Sequence, residues 1–94
     1  MCKDNTGLSE FRNDIDRIDK EMVKLFEERI ETVLKVAEYK KEHNMQVLQK
    51  GREDEVLKKA VSNLKNKGYS DDVIEFMNFL MKISRNIQDK KLDK

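Results

Sequence analysis

Proline is absent from this chain, glycine occurs three times, cysteine once, and aromatic residues make up 6%. With no proline and so little glycine, little interrupts helices, and the composition predicts an all-helical protein with solvated outer faces. The solitary Cys2 excludes an internal disulfide and fits a reducing compartment. No apolar run is long enough for a transmembrane helix. The polar stretch 1–7 lacks the core of a signal peptide, so a cytoplasmic location is expected, with no membrane partner. An excess of one charge sign is missing too. With 20 basic and 19 acidic residues the net charge is +1, which argues against a general nucleic-acid binder. His43 is single and expected at the surface. No Cys/His cluster has metal-ligand spacing, and neither a nucleophile–base pair nor a glycine-rich phosphate loop is visible. No metal or cofactor is expected.

What the chain does have is helical periodicity, sustained enough to favour a folded chain over disorder, the competing reading of 41% charged residues. Its 94 residues suit one domain, 1–94, with 1–8 and 89–94 as frayed tails. From Ser9, a reasonable N-cap, to His43 the apolar residues Phe11, Ile15, Ile18, Met22 and Leu25 step by fours and threes along one seam. A second helix is predicted from Lys50 to Lys67 with the stripe Val56, Leu57, Ala60, Val61 and Leu64. Gly68 suits a left-handed C′ position. Ser70, Asp71 and Asp72 then signal the start of a third helix, whose apolar residues include Val73, Phe76, Met77, Phe79, Leu80, Met81, Ile83 and Ile87. The first helix is about 50 Å long at 1.5 Å per residue, against roughly 30 Å for the diameter of a globule of this size. A partner chain that covers the protruding seam is the simplest remedy, so a two-fold dimer is expected.

The seams are broken by polar groups. Stepping on from Leu25 lands on Arg29, Val33, Val36 and Lys40. In the second helix the inward side begins with Arg52 and Glu53. In the third the seam reaches Ser84 and Gln88. Arg29 and Lys40 lie about 16 Å apart along the axis and only ~20° apart around it. Buried charges need partners, and a cationic excess suits an anionic guest such as a small dicarboxylate, whose geometry matches the arginine fork. Arg12 is about 25 Å from Arg29 on the same helix, so it cannot share a pocket with Arg29 of its own chain; spacing permits, without requiring, that it reach the pocket of the other chain in an antiparallel dimer. Taken singly, each residue reads as a snorkelling side chain, an ion-pair member or a helix-end group. Breaks on all three helices favour a shared guest.

In order and at matching spacings, Phe11-Arg12-Asn13-Asp14-Ile15-Asp16, Ile18-Asp19, Glu28-Arg29, Val36-Ala37-Glu38-Tyr39-Lys40, Arg52-Glu53 and Ser84 with Gln88 resemble the all-helical chorismate mutases over about 8–88. The resemblance implies an intertwined homodimer of three-helix chains with two equivalent sites. The implied activity is an isomerase's, converting chorismate to prephenate on the way to phenylalanine and tyrosine. It implies that Arg29 and Arg12 supplied in trans hold the two carboxylates, and that Lys40 and Gln88 flank the ether oxygen. Glu53 takes the ring hydroxyl, while Arg52 and Ser84 complete the polar shell. Two places depart from the pattern. Gln49 stands where an aspartate is frequent, which puts a side-chain role there in doubt, and Gln46 replaces a common proline. Two other readings stay open: an isochorismate–pyruvate lyase on the same fold, and a helical dimerisation module without activity.

Overall fold

A computed structural model of the chain describes residues 6–45 and 50–92. These residues form α1 (Thr6–Glu42), α2 (Lys50–Ser62), a 3-10 turn (Lys67–Tyr69) and α3 (Ser70–Leu92), with no strand among them. The all-α reading with one very long N-terminal helix holds: α1 has 37 residues. Helix runs through Thr6–Leu8 and through Asp89–Leu92, inside the stretches expected to fray. Ser9 accordingly lies inside α1 and does not cap it. No proline stands ahead of it, and Gly7 costs only about 1 kcal/mol relative to alanine, too little to stop a helix.

The end of α1 is set by Asn44, whose φ of 57° is left-handed. Its N–H bonds the Lys41 carbonyl at 3.3 Å, and the Met45 N–H reaches back to the Lys40 carbonyl at 2.7 Å. These are the paired bonds of a Schellman ending. Lys40 and Lys41 fill the last turn, where cations suit the helix dipole. The His43 ring stacks on Tyr39 at 4.0 Å, and its Nδ1 donates to the Tyr39 carbonyl at 2.8 Å. His43 is exposed, as expected.

The second helix ends at Ser62, five residues before the predicted Lys67. Lys67 explains the early stop. Its ammonium donates to the carbonyls of Val61 at 2.8 Å, Ser62 at 3.2 Å and Leu64 at 2.8 Å, satisfying acceptors that a helix end leaves open. Gly68 is not a left-handed cap, since no described glycine has positive φ. It lies in the 3-10 turn and donates to Asn66 Oδ1 at 2.8 Å. A Cβ there would stand 2.9 Å from that oxygen, so the position needs room, not conformational freedom. Ser70 is already helical and donates to the Lys67 carbonyl at 2.7 Å, with Asp71 and Asp72 in the first turn of α3.

The chain divides into two compact units after Thr32. In the first, residues 1–32, the described backbone is all α1. Its seam is exposed: Phe11 is 66% accessible and Leu25 58%. The second unit, residues 33–94, holds the end of α1 with α2, the 3-10 turn and α3. Ala37 has no accessible surface there and Met81 has 6%. Helix α2 lies against α3, and Val56, Leu57, Ala60 and Val61 are half-buried as predicted. Phe76 and Phe79 are exposed, although the periodicity placed them among the apolar residues of α3. No helix among the described residues is long and apolar enough to cross a membrane.

The left-handed Asn44 generates a stability prediction. Asn44→Ala lowers stability by about 1 kcal/mol, since a Cβ without a local hydrogen-bonding group is disfavoured at that φ, whereas Asn44→Gly does not. Thermal unfolding at fixed protein concentration checks this. Equal melting points for the two variants would count against the left-handed ending.

Candidate active site

In the first unit, the predicted site residue Arg12 is exposed and Arg29 is half-buried. Both project from α1, whose unbroken backbone fixes their spacing. Gln49 lies outside the described residues.

The second unit carries the rest. Lys40 is half-buried in the last turn of α1, next to the Schellman bonds that fix where the helix stops. Ser84 and Gln88 sit one turn apart on α3 and are buried, at 5% and 8% accessibility. Burial at these two polar positions agrees with the seam that placed them inward. The Ser84 hydroxyl donates to the Leu80 carbonyl at 2.9 Å, a bond within its own helix that makes its burial inexpensive. Gln88 reaches another element: Nε2 donates to the Val33 carbonyl at 3.1 Å. That oxygen is inside α1, where it also accepts the Ala37 N–H by the α-helical rule. A glutamine amide has two N–H donors and one oxygen acceptor. Among the described residues only one of these, on Nε2, is engaged. The remaining donor and the amide oxygen leave Gln88 able to bond a further polar group.

The inward pair Arg52-Glu53 divides. Arg52 is turned to the rim, where its Nη1 lies 2.6 Å from Glu55 Oε1 and both side chains are more than half exposed. Hydrogen bonding from Arg52, helped by the charges of Lys59 and Arg52, holds the Glu55 carboxyl below the usual glutamate range. Adjacent helical residues point about 100° apart, so one sequence step separates the rim from the inside. Glu53 is half-buried, and its Oε2 accepts from Arg85 Nη1 across the α2–α3 contact. The structure thus brings Glu53 to α3 and Gln88 to α1, and sends Arg52 to solvent. Arg85 was missed by the sequence reading. It follows Ser84 directly, but nothing local marks it, because its partner is 32 residues away. No group of three or more His, Cys, Asp or Glu among the described residues could hold a metal ion.

Half-buried Lys40 in the last turn of α1, half-buried Glu53 in the first turn of α2, and buried Ser84 and Gln88 in the far half of α3 define a class of all-α protein with polar groups among its covered positions. The family is more specific: residues 11–89 match chorismate mutase type II, and the chain belongs to that family. It is also 32% identical over 69 residues to the T-protein of Haemophilus influenzae. That similarity covers 73% of this chain and 18% of the T-protein, so the chain spans less than a fifth of this relative's length.

The position of Arg52 can be read by titration. A folded-state pKa held down means a stabilising contribution present above the unfolded value and lost as pH falls through the folded one. In an NMR titration, Arg52→Gln moves the Glu55 midpoint upward. An unchanged midpoint would mean that Arg52 does not face Glu55.

Proposed function

We propose that this chain is a chorismate mutase that catalyses the [3,3] rearrangement of chorismate to prephenate, working as a homodimer with two equivalent sites. The observation that carries the reading is the family match over residues 11–89, an interval that contains every residue assigned a role in the described chain, from Arg12 to Gln88. The buried amide of Gln88 adds support. So does the exposed seam of α1, because apolar area of this kind is favourable to remove from water by association with a second copy. One domain, 1–94, and a cytoplasmic location complete the proposal.

The rearrangement is concerted, so it requires no nucleophile, proton transfer or cofactor. The task is to hold a flexible dianion in a compact chair-like form, which is a matter of positioning. Arg29 and the partner subunit's Arg12 clamp the two carboxylates through forked hydrogen bonds. Lys40 and Gln88 donate to the ether oxygen as its bond to the ring carbon breaks and negative charge grows there. Glu53 accepts from the ring hydroxyl. Arg52 and Ser84 complete the polar shell; with Arg52 at the rim in the free chain, it contributes there only on turning inward. Gln49 is a further substrate-binding position.

The first test is depletion of chorismate with appearance of prephenate, with isochorismate as the competing substrate. Release of pyruvate and salicylate from isochorismate, with chorismate untouched, would replace this reading by the lyase. Lys40→Ala lowers turnover by on the order of 10²–10³, the usual effect of losing one fixed donor to a developing oxyanion; unchanged turnover would remove Lys40 from the mechanism. Co-folding an Arg12→Ala chain with a Lys40→Ala chain tests the shared site. The mixed dimer regains one intact site of two, although each parent is poor. Absence of recovery in heterodimers shown to form would defeat the assignment of Arg12 in trans.

A further inference from the structure

The inward face of α2 and α3 contains one ion pair that the proposed mechanism does not use. Glu53, in the first turn of α2, meets Arg85 of α3. Their side chains are 30% and 39% accessible, against 55% and 58% for the rim pair of Glu55 and Arg52. Water therefore competes less for the inner pair. Arg85 lies about 60° around α3 from Gln88, on the flank of the buried polar face. The contact engages Glu53 Oε2 through one guanidinium nitrogen. A carboxylate has a second oxygen with its own lone pairs, and among the described residues nothing else bonds Glu53.

The geometry points to Arg85 as a positioning residue that anchors Glu53 by Oε2 and presents Oε1 to the ring hydroxyl of the substrate. The assignment deepens the chorismate mutase reading and rests on it. A carboxylate on a helix start rotates among rotamers unless something holds it. Held by Arg85, it meets the hydroxyl already oriented, so less freedom is lost on binding. Arg52 does not do this, because it is turned to Glu55. The hydroxyl is not at the breaking or forming bond, so its contact with Glu53 is equally strong in the bound substrate and in the transition state. Loss of such a contact raises KM and leaves kcat nearly unchanged.

The experiment compares four homodimers with chorismate: the natural chain, Arg85→Met, Glu53→Gln and the double variant. A fifth, Arg85→Lys, keeps the charge and loses the fork. Circular dichroism establishes folding. Arg85→Met raises KM about tenfold, the order expected for one charge-assisted hydrogen bond, with kcat little changed, and Arg85→Lys recovers part of the loss. In the Glu53→Gln background Arg85→Met has no further effect, because coupled residues are not additive. A substrate analogue without the ring hydroxyl is bound equally by the natural chain and Arg85→Met.

Unchanged KM in a folded Arg85→Met enzyme would overturn the assignment, and so would the same loss with and without Glu53. Both results leave the mutase activity of the natural chain standing. If Arg85→Met does not fold, Arg85→Lys carries the test, with a KM increase of about threefold, smaller because one donor group survives, that disappears in the Glu53→Gln background. A natural chain that does not convert chorismate would overturn the activity and this role together, and is read separately in the first assay.

Discussion

Scarcity of buried apolar surface governs this chain. Among the described residues Ala37 and Met81 are the only buried hydrophobic side chains, while Phe11, Ile15, Ile18, Met22 and Leu25 lie along α1 in water. A helix is held in place mainly by packing of its apolar face and much less by its intrinsic propensity. The seam of α1 therefore requires another surface, and a second copy of the same seam is the proposed one. Polar residues at the inner positions of the second unit fit this economy. They occupy places that a self-sufficient globule would give to leucine or valine.

Within the second unit the order comes from directed bonds more than from bulk. Gln88 joins α3 to α1, Arg85 joins α3 to α2, and Lys67 closes the corner between α2 and α3. The first two bonds hold side chains of the buried polar face and its flank, and the third holds the turn that leads into α3. Such a frame suits a reaction that needs fixed donors and no moving proton, since preorganised dipoles lose nothing to reorientation as charge develops.

Much of this was legible in the sequence, and the limits have a physical pattern. Helix α1 could be read because its period is local and no proline, and after Gly7 no glycine, interrupts it. Ser84 and Gln88 could be placed inward because they continue a seam by steps of four. The end of α2 could not be read, because it depends on a lysine reaching back five residues to Ser62. A left-handed cap was assigned to Gly68 after α2, whereas among the described residues the left-handed ending is at Asn44 after α1, a residue type that also tolerates that conformation. Arg52 and Glu53 look equivalent as neighbours, and only their tertiary and rim partners separate them. Arg85 was overlooked for the same reason: its role is defined by a helix distant in sequence, and periodicity carries no information about that. The roles of Arg12 and Arg29 came from family resemblance and helix spacing alone.

The methyl of Ala37 has no accessible surface. It lies one turn along α1 from the Val33 carbonyl, on which the Gln88 carboxamide hangs. With no free space around position 37, a bulkier residue there has to displace whatever covers it, and the disturbance falls beside the carbonyl that orients Gln88.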